Sequence, residues 1–212
     1  MRQTRIEFPV DGESIDGVMC GPNDMGLRSP AVVVCHPHPL FGGSMDSPVV
    51  FAICAALADR GVASMRFNFR RTTGDAPGMA AHAARDTAAA FEVIRQWDFV
   101  DGRRCAVAGY SFGATAILRG LADLKAARAL ALIAPPMSAL DDSEIARDTR
   151  PKLFIVGDSD RLVAAEALRA SVTGMAEPVE IEILEGADHS LAGHAEAVGE
   201  RAAKFLARVL GS

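Results

Sequence analysis

The sequence predicts an α/β fold, with a mostly parallel sheet of about eight strands, helices on both faces and an antiparallel hairpin at the N-terminal edge. Three observations carry this prediction. Residues 31–35, Ala-Val-Val-Val-Cys, run apolar without alternation, as a strand buried on both faces does. Such runs alternate along the chain with segments whose apolar residues recur at helical spacing. The first twenty residues hold two strand-like runs joined by Asp11-Gly12, a two-residue hairpin signal.

Taken in order, residues 5–10 and 14–20 are the hairpin arms. Residues 22–30 are polar and bounded by Pro22 and Pro30, so they read as a loop before the strand at 31–35. Pro48 suits the first turn of a helix in which Val50, Ile53, Cys54 and Leu57 share a face, and Arg60-Gly61 ends it. A strand follows at 62–69. A loop with Thr72, Thr73, Gly74, Pro77 and Gly78 leads to a helix over 79–97, with Ala84, Ala88, Phe91 and Ile94 facing inward. Strands are expected at 103–108, 129–134, 153–156 and 179–184. Helices are expected after 113 to about 124, over 162–172, and at the C-terminus, where Val198, Ala202, Phe205, Leu206 and Val209 form one stripe. There is no internal repeat, low-complexity tract or linker, so residues 1–212 read as a single domain.

Composition narrows the function classes. Half of the residues are hydrophobic and 23% are charged, which is ordinary for a globular protein with a well-buried core. The net charge is −5 and the basic residues are scattered, which argues against a nucleic-acid surface. No apolar run approaches membrane-spanning length, and the N-terminus lacks the apolar segment of a signal peptide. Cys20, Cys35, Cys54 and Cys105 sit inside apolar patterns without close pairing in sequence, and they read as buried thiols. A cytoplasmic location is therefore expected.

The chemistry gathers at Gly109-Tyr110-Ser111-Phe112-Gly113, between an apolar strand and a helix. A serine at the apex of a sharp strand-to-helix turn sits in a strained backbone, and glycines two places to each side relieve the crowding. This is the pattern of a nucleophile elbow. A serine hydroxyl needs a base, and the base needs an orienting acid. In the order serine, acid, histidine, the acid falls in Gly157-Asp158-Ser159-Asp160 after one strand. The histidine falls in Gly186-Ala187-Asp188-His189 after the next. On spacing alone, both Asp158 and Asp160 remain candidates.

With these residues in place, the chain resembles the α/β-hydrolase-fold serine hydrolases. It is most similar to a small, cap-less bacterial group with a His-Pro-His-Pro-Leu-Phe-Gly-Gly loop, here residues 36–43. Ala134-Pro135-Pro136, Gly157-Asp158-Ser159-Asp160 and Gly186-Ala187-Asp188-His189 fall in family order. The resemblance implies hydrolysis and leaves the substrate unnamed. It implies Ser111 as nucleophile, His189 as general base and Asp160 as orienting acid, since Gly157, Asp160 and Val163 match the family's Gly-x-x-Asp-x-x-Val spacing.

The oxyanion hole needs two main-chain donors. Phe112, following the nucleophile, supplies one. Pro37 and Pro39 have no N–H, and His38 aligns with the residue that follows His-Gly in larger relatives. His38 is therefore the second expected donor, with Leu40 behind it. His36-x-His38 alternates like metal ligands, but further ligands are lacking, so no metal and no cofactor is expected. His36 is read as structural, and His82 and His194 as solvated. After Phe67-Asn68-Phe69-Arg70 relatives continue Gly-x-Gly-x-Ser-x-Gly, whereas this chain has Arg71-Thr72-Thr73-Gly74-Asp75. Arg70 and Arg71 are read as solvated, with a substrate anion as the alternative. Residues 135–150 leave room for one short helix and hence for no lid. Phe41, Met45, Met137 and Leu140 are the expected walls of an apolar substrate pocket.

These readings converge on a hydrolase acting on a small-molecule acyl ester or thioester. The alternatives are a dienelactone-type hydrolase, a peptidase, or a non-catalytic homologue that binds without turnover. No nucleic acid or membrane partner is expected, and a homodimer is admitted.

Overall fold

The computed structural model describes residues 1–21, 28–70 and 76–211. Most of the expected loop over 22–30 and all of Arg71, Thr72, Thr73, Gly74 and Asp75 lie outside them. The strands β1 (Arg2–Val10) and β2 (Glu13–Gly21) pair antiparallel, Val10 opposite Glu13. Asp11 and Gly12 between them have φ of 50° and 85°, the left-handed pair that a two-residue hairpin turn demands.

Six further strands complete one sheet. They are β3 (Ser29–Cys35), β4 (Ala63–Phe67), β5 (Val100–Tyr110), β6 (Leu130–Ile133), β7 (Lys152–Gly157) and β8 (Val179–Leu184). The order across the sheet is β1-β2-β4-β3-β5-β6-β7-β8. Only β2 runs against its neighbours, and every pairing from β4 to β8 is parallel. Parallel neighbours require crossovers, which five helices provide: α1 (Pro48–Ala58), α2 (Ala76–Arg95), α3 (Phe112–Arg119), α4 (Met137–Asp141) and α5 (Ala165–Val172). A sixth, α6 (Ala195–Leu210), follows β8 and packs beside α1.

The unbroken apolar run of β3 is explained by two cores. Val33 and Cys35 face the layer of α2, α3, α4 and α5, while Val32 and Val34 face that of α1 and α6. The same alternation continues in β5, with Cys105 and Val107 on one side and Ala106, Ala108 and Tyr110 on the other. All four cysteines are buried and unbridged. The Cys20 and Cys54 thiols are brought together from β2 and α1 closely enough that each perturbs the other's ionisation, a proximity that their spacing did not announce.

The boundaries move for identifiable reasons. The helix expected from Leu162 begins at Ala165, because the Asp160 carboxylate takes the amides of Leu162 and Val163, each at 2.8 Å, and holds those residues in a turn. The helix after the elbow stops at Arg119, where Gly120 follows as its C-terminal cap. Between β6 and β7 the chain makes two short helical turns rather than one, α4 and a 3₁₀ turn at Glu144–Arg147, and there is no lid.

Candidate active site

Ligand sites in open parallel sheets form at the carboxyl ends of the strands. Here the ends of β3, β5 and β7 and the loop after β8 carry the expected residues. Ser111 stands between the last residue of β5 and the first of α3 with φ 53° and ψ −108°, a region that side-chain-bearing residues seldom occupy. Its neighbours have no space to spare. A Cβ on Gly109 would lie 2.5 Å from the Gly113 carbonyl carbon, and one on Gly113 would lie 2.4 Å from the Cys35 carbonyl oxygen. Backbone blocks both positions, so these glycines are steric requirements of the turn.

The structure brings Ser111, His189 and Asp160 together in a line. Ser111 Oγ lies 3.0 Å from His189 Nε2, and His189 Nδ1 lies 2.8 Å from Asp160 Oδ2. The Asp160 side chain is fully buried and its other oxygen accepts the Leu162 and Val163 amides, so the carboxylate cannot rotate away. Asp158 is elsewhere. It is exposed, and its Oδ1 accepts the Gly186 amide at 2.9 Å and the Ser159 hydroxyl at 3.0 Å. It ties the β7 loop to the β8 loop and makes no contact with the imidazole.

The loop after β3 folds onto itself and spends its amides in doing so. Leu40 donates to His38 Nδ1 at 3.2 Å, Phe41 and Gly43 donate to the His38 carbonyl, and Gly42 donates to that of Pro39. Pro37 and Pro39 have none to give. Among the described residues, the His38 amide is the one N–H between residues 37 and 43 without a protein acceptor. The Phe112 amide opens α3 and belongs to the first turn, whose N–H groups have no partner within the helix. The His38 ring packs against the rings of Phe112 at 4.6 Å and Phe41 at 5.0 Å. Burial lowers its pKa, so the imidazole is neutral and can accept from Leu40.

His36 is a structural histidine. It is 1% exposed, its Nδ1 meets the Pro37 carbonyl at 2.6 Å, and its Nε2 accepts the Phe69 amide at 3.1 Å. Both ring nitrogens are engaged, which leaves neither for a metal. Among the described residues, no cluster of three or more His, Cys, Asp or Glu could hold a metal ion. His82 and His194 are half-buried, and His82 Nδ1 is buried without a partner, so the solvated reading of His82 does not hold.

Two further expectations are corrected. Arg70 neither faces solvent nor reaches toward a substrate. It is buried, with Nε 2.7 Å from Asp86 Oδ1, and its other nitrogens reach Asp11 and the Val10 carbonyl. It clamps α2 to the hairpin turn, an option hidden while the hairpin's distance in space was unknown. Leu140 is 3% exposed and packs in the core under α4, so it offers a ligand no wall. Of the other expected walls, Met45 and Met137 are half-buried, and Phe41 stands 88% exposed on its 3₁₀ turn. Tyr110 was given no role by the sequence, yet its hydroxyl donates to the His189 carbonyl at 2.7 Å. Asn68 was missed as well. Its Oδ1 accepts the Met45 amide at 2.9 Å and supports the loop from behind.

The strand order, the strained serine turn between β5 and α3 and the lid-free connection after β6 define the α/β-hydrolase class of fold. The chain belongs to the alpha/beta hydrolase domain family, whose sequence profile matches residues 30–210. Family and fold place it among hydrolases. A crystal structure of a protein of unknown function from Agrobacterium tumefaciens superposes with a TM-score of 0.84 at 25% identity, covering 98% of this chain and 97% of that one. An alpha-beta serine hydrolase homologue from Coxiella burnetii gives 0.76 at 25% identity over 95% and 96% of the two chains. An uncharacterized protein from Rickettsia prowazekii is 27% identical over 172 residues, 76% of this chain and 72% of the relative. Among the described residues, no helix is long and apolar enough to cross a membrane.

Proposed function

We propose that this protein is a serine hydrolase that cleaves a carboxylic ester or thioester through an acyl-serine intermediate. The observation that carries this reading is the unbroken relay from Ser111 through His189 to the buried Asp160, with spacings of 3.0 and 2.8 Å. In this reading Asp160 accepts the Nδ1 proton, so Nε2 presents its lone pair to the Ser111 hydroxyl. Ser111 Oγ attacks the acyl carbon while its proton passes to Nε2. The carbonyl electron pair moves onto oxygen, where the His38 and Phe112 amides receive the charge. Collapse expels the alcohol or thiol, which takes the proton from Nε2. Water then repeats the sequence, releasing the acid and restoring the serine. Every step uses groups of this chain, substrate and water.

Phe41, Met45 and Met137 would contact the apolar part of the substrate, Phe41 from the rim. The open connection after β6 supports an accessible site that small esters reach without a domain movement. Fluorophosphonate labelling tests the nucleophile. The wild-type chain should incorporate one probe molecule and Ser111→Ala none. A screen of p-nitrophenyl esters and acyl-CoA thioesters of graded length then separates the two substrate classes. Equal labelling of wild type and Ser111→Ala overturns the assignment of Ser111 as nucleophile, and a wild-type chain that takes up no probe and turns over no ester favours a non-catalytic binding module.

A further inference from the structure

Tyr110 is the last residue of β5, one position before Ser111. The residue is 7% exposed and lies on the α1 and α6 side of the sheet, in the same core as Ala187 and Leu191 of the loop that carries His189. The hydroxyl donates to the main-chain oxygen of His189 itself at 2.7 Å, across 79 positions of sequence. Burial is the main cause that pushes this phenol up to about 12, and the charges of Asp160 and Asp188 add to it. The hydroxyl therefore keeps its proton and remains a donor throughout the range in which an imidazole base works.

The loop is tied on both sides of the imidazole. On the acid side it is held to the loop after β7 by Ser159 N–H to the Ala187 carbonyl at 3.0 Å, by Gly186 N–H to Asp158 at 2.9 Å and by the His189 ring itself on Asp160 at 2.8 Å. Most of its remaining bonds, such as Leu191 N–H to the Asp188 carbonyl and Ser190 to the Asp188 side chain, are internal, and the burial of Ala187 and Leu191 seats the loop on the sheet. On the nucleophile side, the Tyr110 hydroxyl bonds the peptide of the histidine itself. Ser111 is covalently next to Tyr110, and its own amide is held by the Ile133 carbonyl at 2.8 Å. The nucleophile and the main chain of its base are thus referenced to the same few atoms at the end of β5.

We infer that Tyr110 is a positioning residue for the reaction proposed above: its hydroxyl sets the reach of His189 toward Ser111. The inference rests on that serine-hydrolase reading for its kinetic consequence, and on geometry alone for its effect on the imidazole. Proton transfer from serine to histidine depends steeply on this spacing, whereas substrate binding does not pass through the His189 peptide.

Tyr110→Phe keeps the ring and removes the donor. Against the best p-nitrophenyl ester, kcat per labelled site should fall by about tenfold, the scale of one neutral hydrogen bond, with KM within about twofold. The fluorophosphonate rate should fall by the same factor, while the endpoint stays at one probe per chain. The imidazole proton shared by His189 Nδ1 and Asp160, followed by NMR, should shift or broaden in the variant. Unchanged kcat per labelled site together with an unchanged imidazole resonance overturns the inference. So does a loss of activity that merely tracks the unfolded fraction. If Ser111→Ala labels like the wild type, the serine-hydrolase reading falls by itself, and the resonance still decides whether Tyr110 orients His189.

Discussion

His36 makes the stability of this protein depend on pH in a way that one substitution isolates. Burial is the chief reason its pKa falls from 6.5 to about 4; the bond to the Pro37 carbonyl opposes the fall and the neighbouring His38 adds slightly to it. The folded ring is neutral because Nε2 must keep a lone pair for the Phe69 amide. Between pH 6.5 and 4 the unfolded chain therefore binds a proton that the folded chain refuses. The sign follows directly: this contribution is fully present above pH 6.5 and is lost as the pH falls toward 4. At about 1.4 kcal/mol per unit, the whole shift corresponds to roughly 3 kcal/mol, of which about 2 kcal/mol is lost between pH 7 and pH 5. His36→Gln offers Phe69 an acceptor that does not titrate. Urea unfolding of both proteins at pH 7, 6 and 5 separates this group from all others, since every other titration is common to the pair. The wild type should lose about 2 kcal/mol more than His36→Gln over that range, whatever their difference at pH 7. Parallel stability curves would refute the assignment of a neutral, amide-accepting His36. The loss would also release the segment that presents the His38 amide, so acid should impair the site before global unfolding.

The two aspartates of the β7 loop should separate cleanly. Asp160→Asn leaves His189 without its carboxylate and should lower kcat by about 10³-fold or more, whereas Asp158→Asn should stay within about fivefold, measured as ester hydrolysis at saturating substrate. Arg70→Leu strands the buried Asp86 carboxylate and should cost about 3–5 kcal/mol in urea unfolding. The double variant Arg70→Leu with Asp86→Leu should recover most of that, and a double variant as unstable as the single one would show that the clamp's hydrogen bonds to Asp11 and Val10 matter more than the ion pair.

Much of the fold was legible because its determinants are local. An apolar run such as residues 31–35 can be accommodated only where both faces are covered, and Asp11-Gly12 tolerates the two positive φ values of the hairpin. Ser111 and His189 were legible because their strand-end positions recur in a known pattern, which also favoured Asp160 while leaving Asp158 as its competitor. Element ends were less so. Leu162 remains outside α5 because of a carboxylate two residues earlier, a competition that periodicity does not register.

The sequence by itself determined the alternation of strand and helix, the serine turn with its flanking glycines, and the order in which the acid and histidine arrive. Each of these depends on neighbouring residues or on a fixed spacing. Only the tertiary structure decided which aspartate meets the imidazole, that His38 holds the loop's unspent amide, that Arg70 is buried against Asp86, and that Tyr110 reaches His189. These contacts join residues far apart in the chain, or turn on which of two nearby side chains the backbone aims inward. Hydrogen bonds of this kind exist only once the sheet has brought its strand ends side by side.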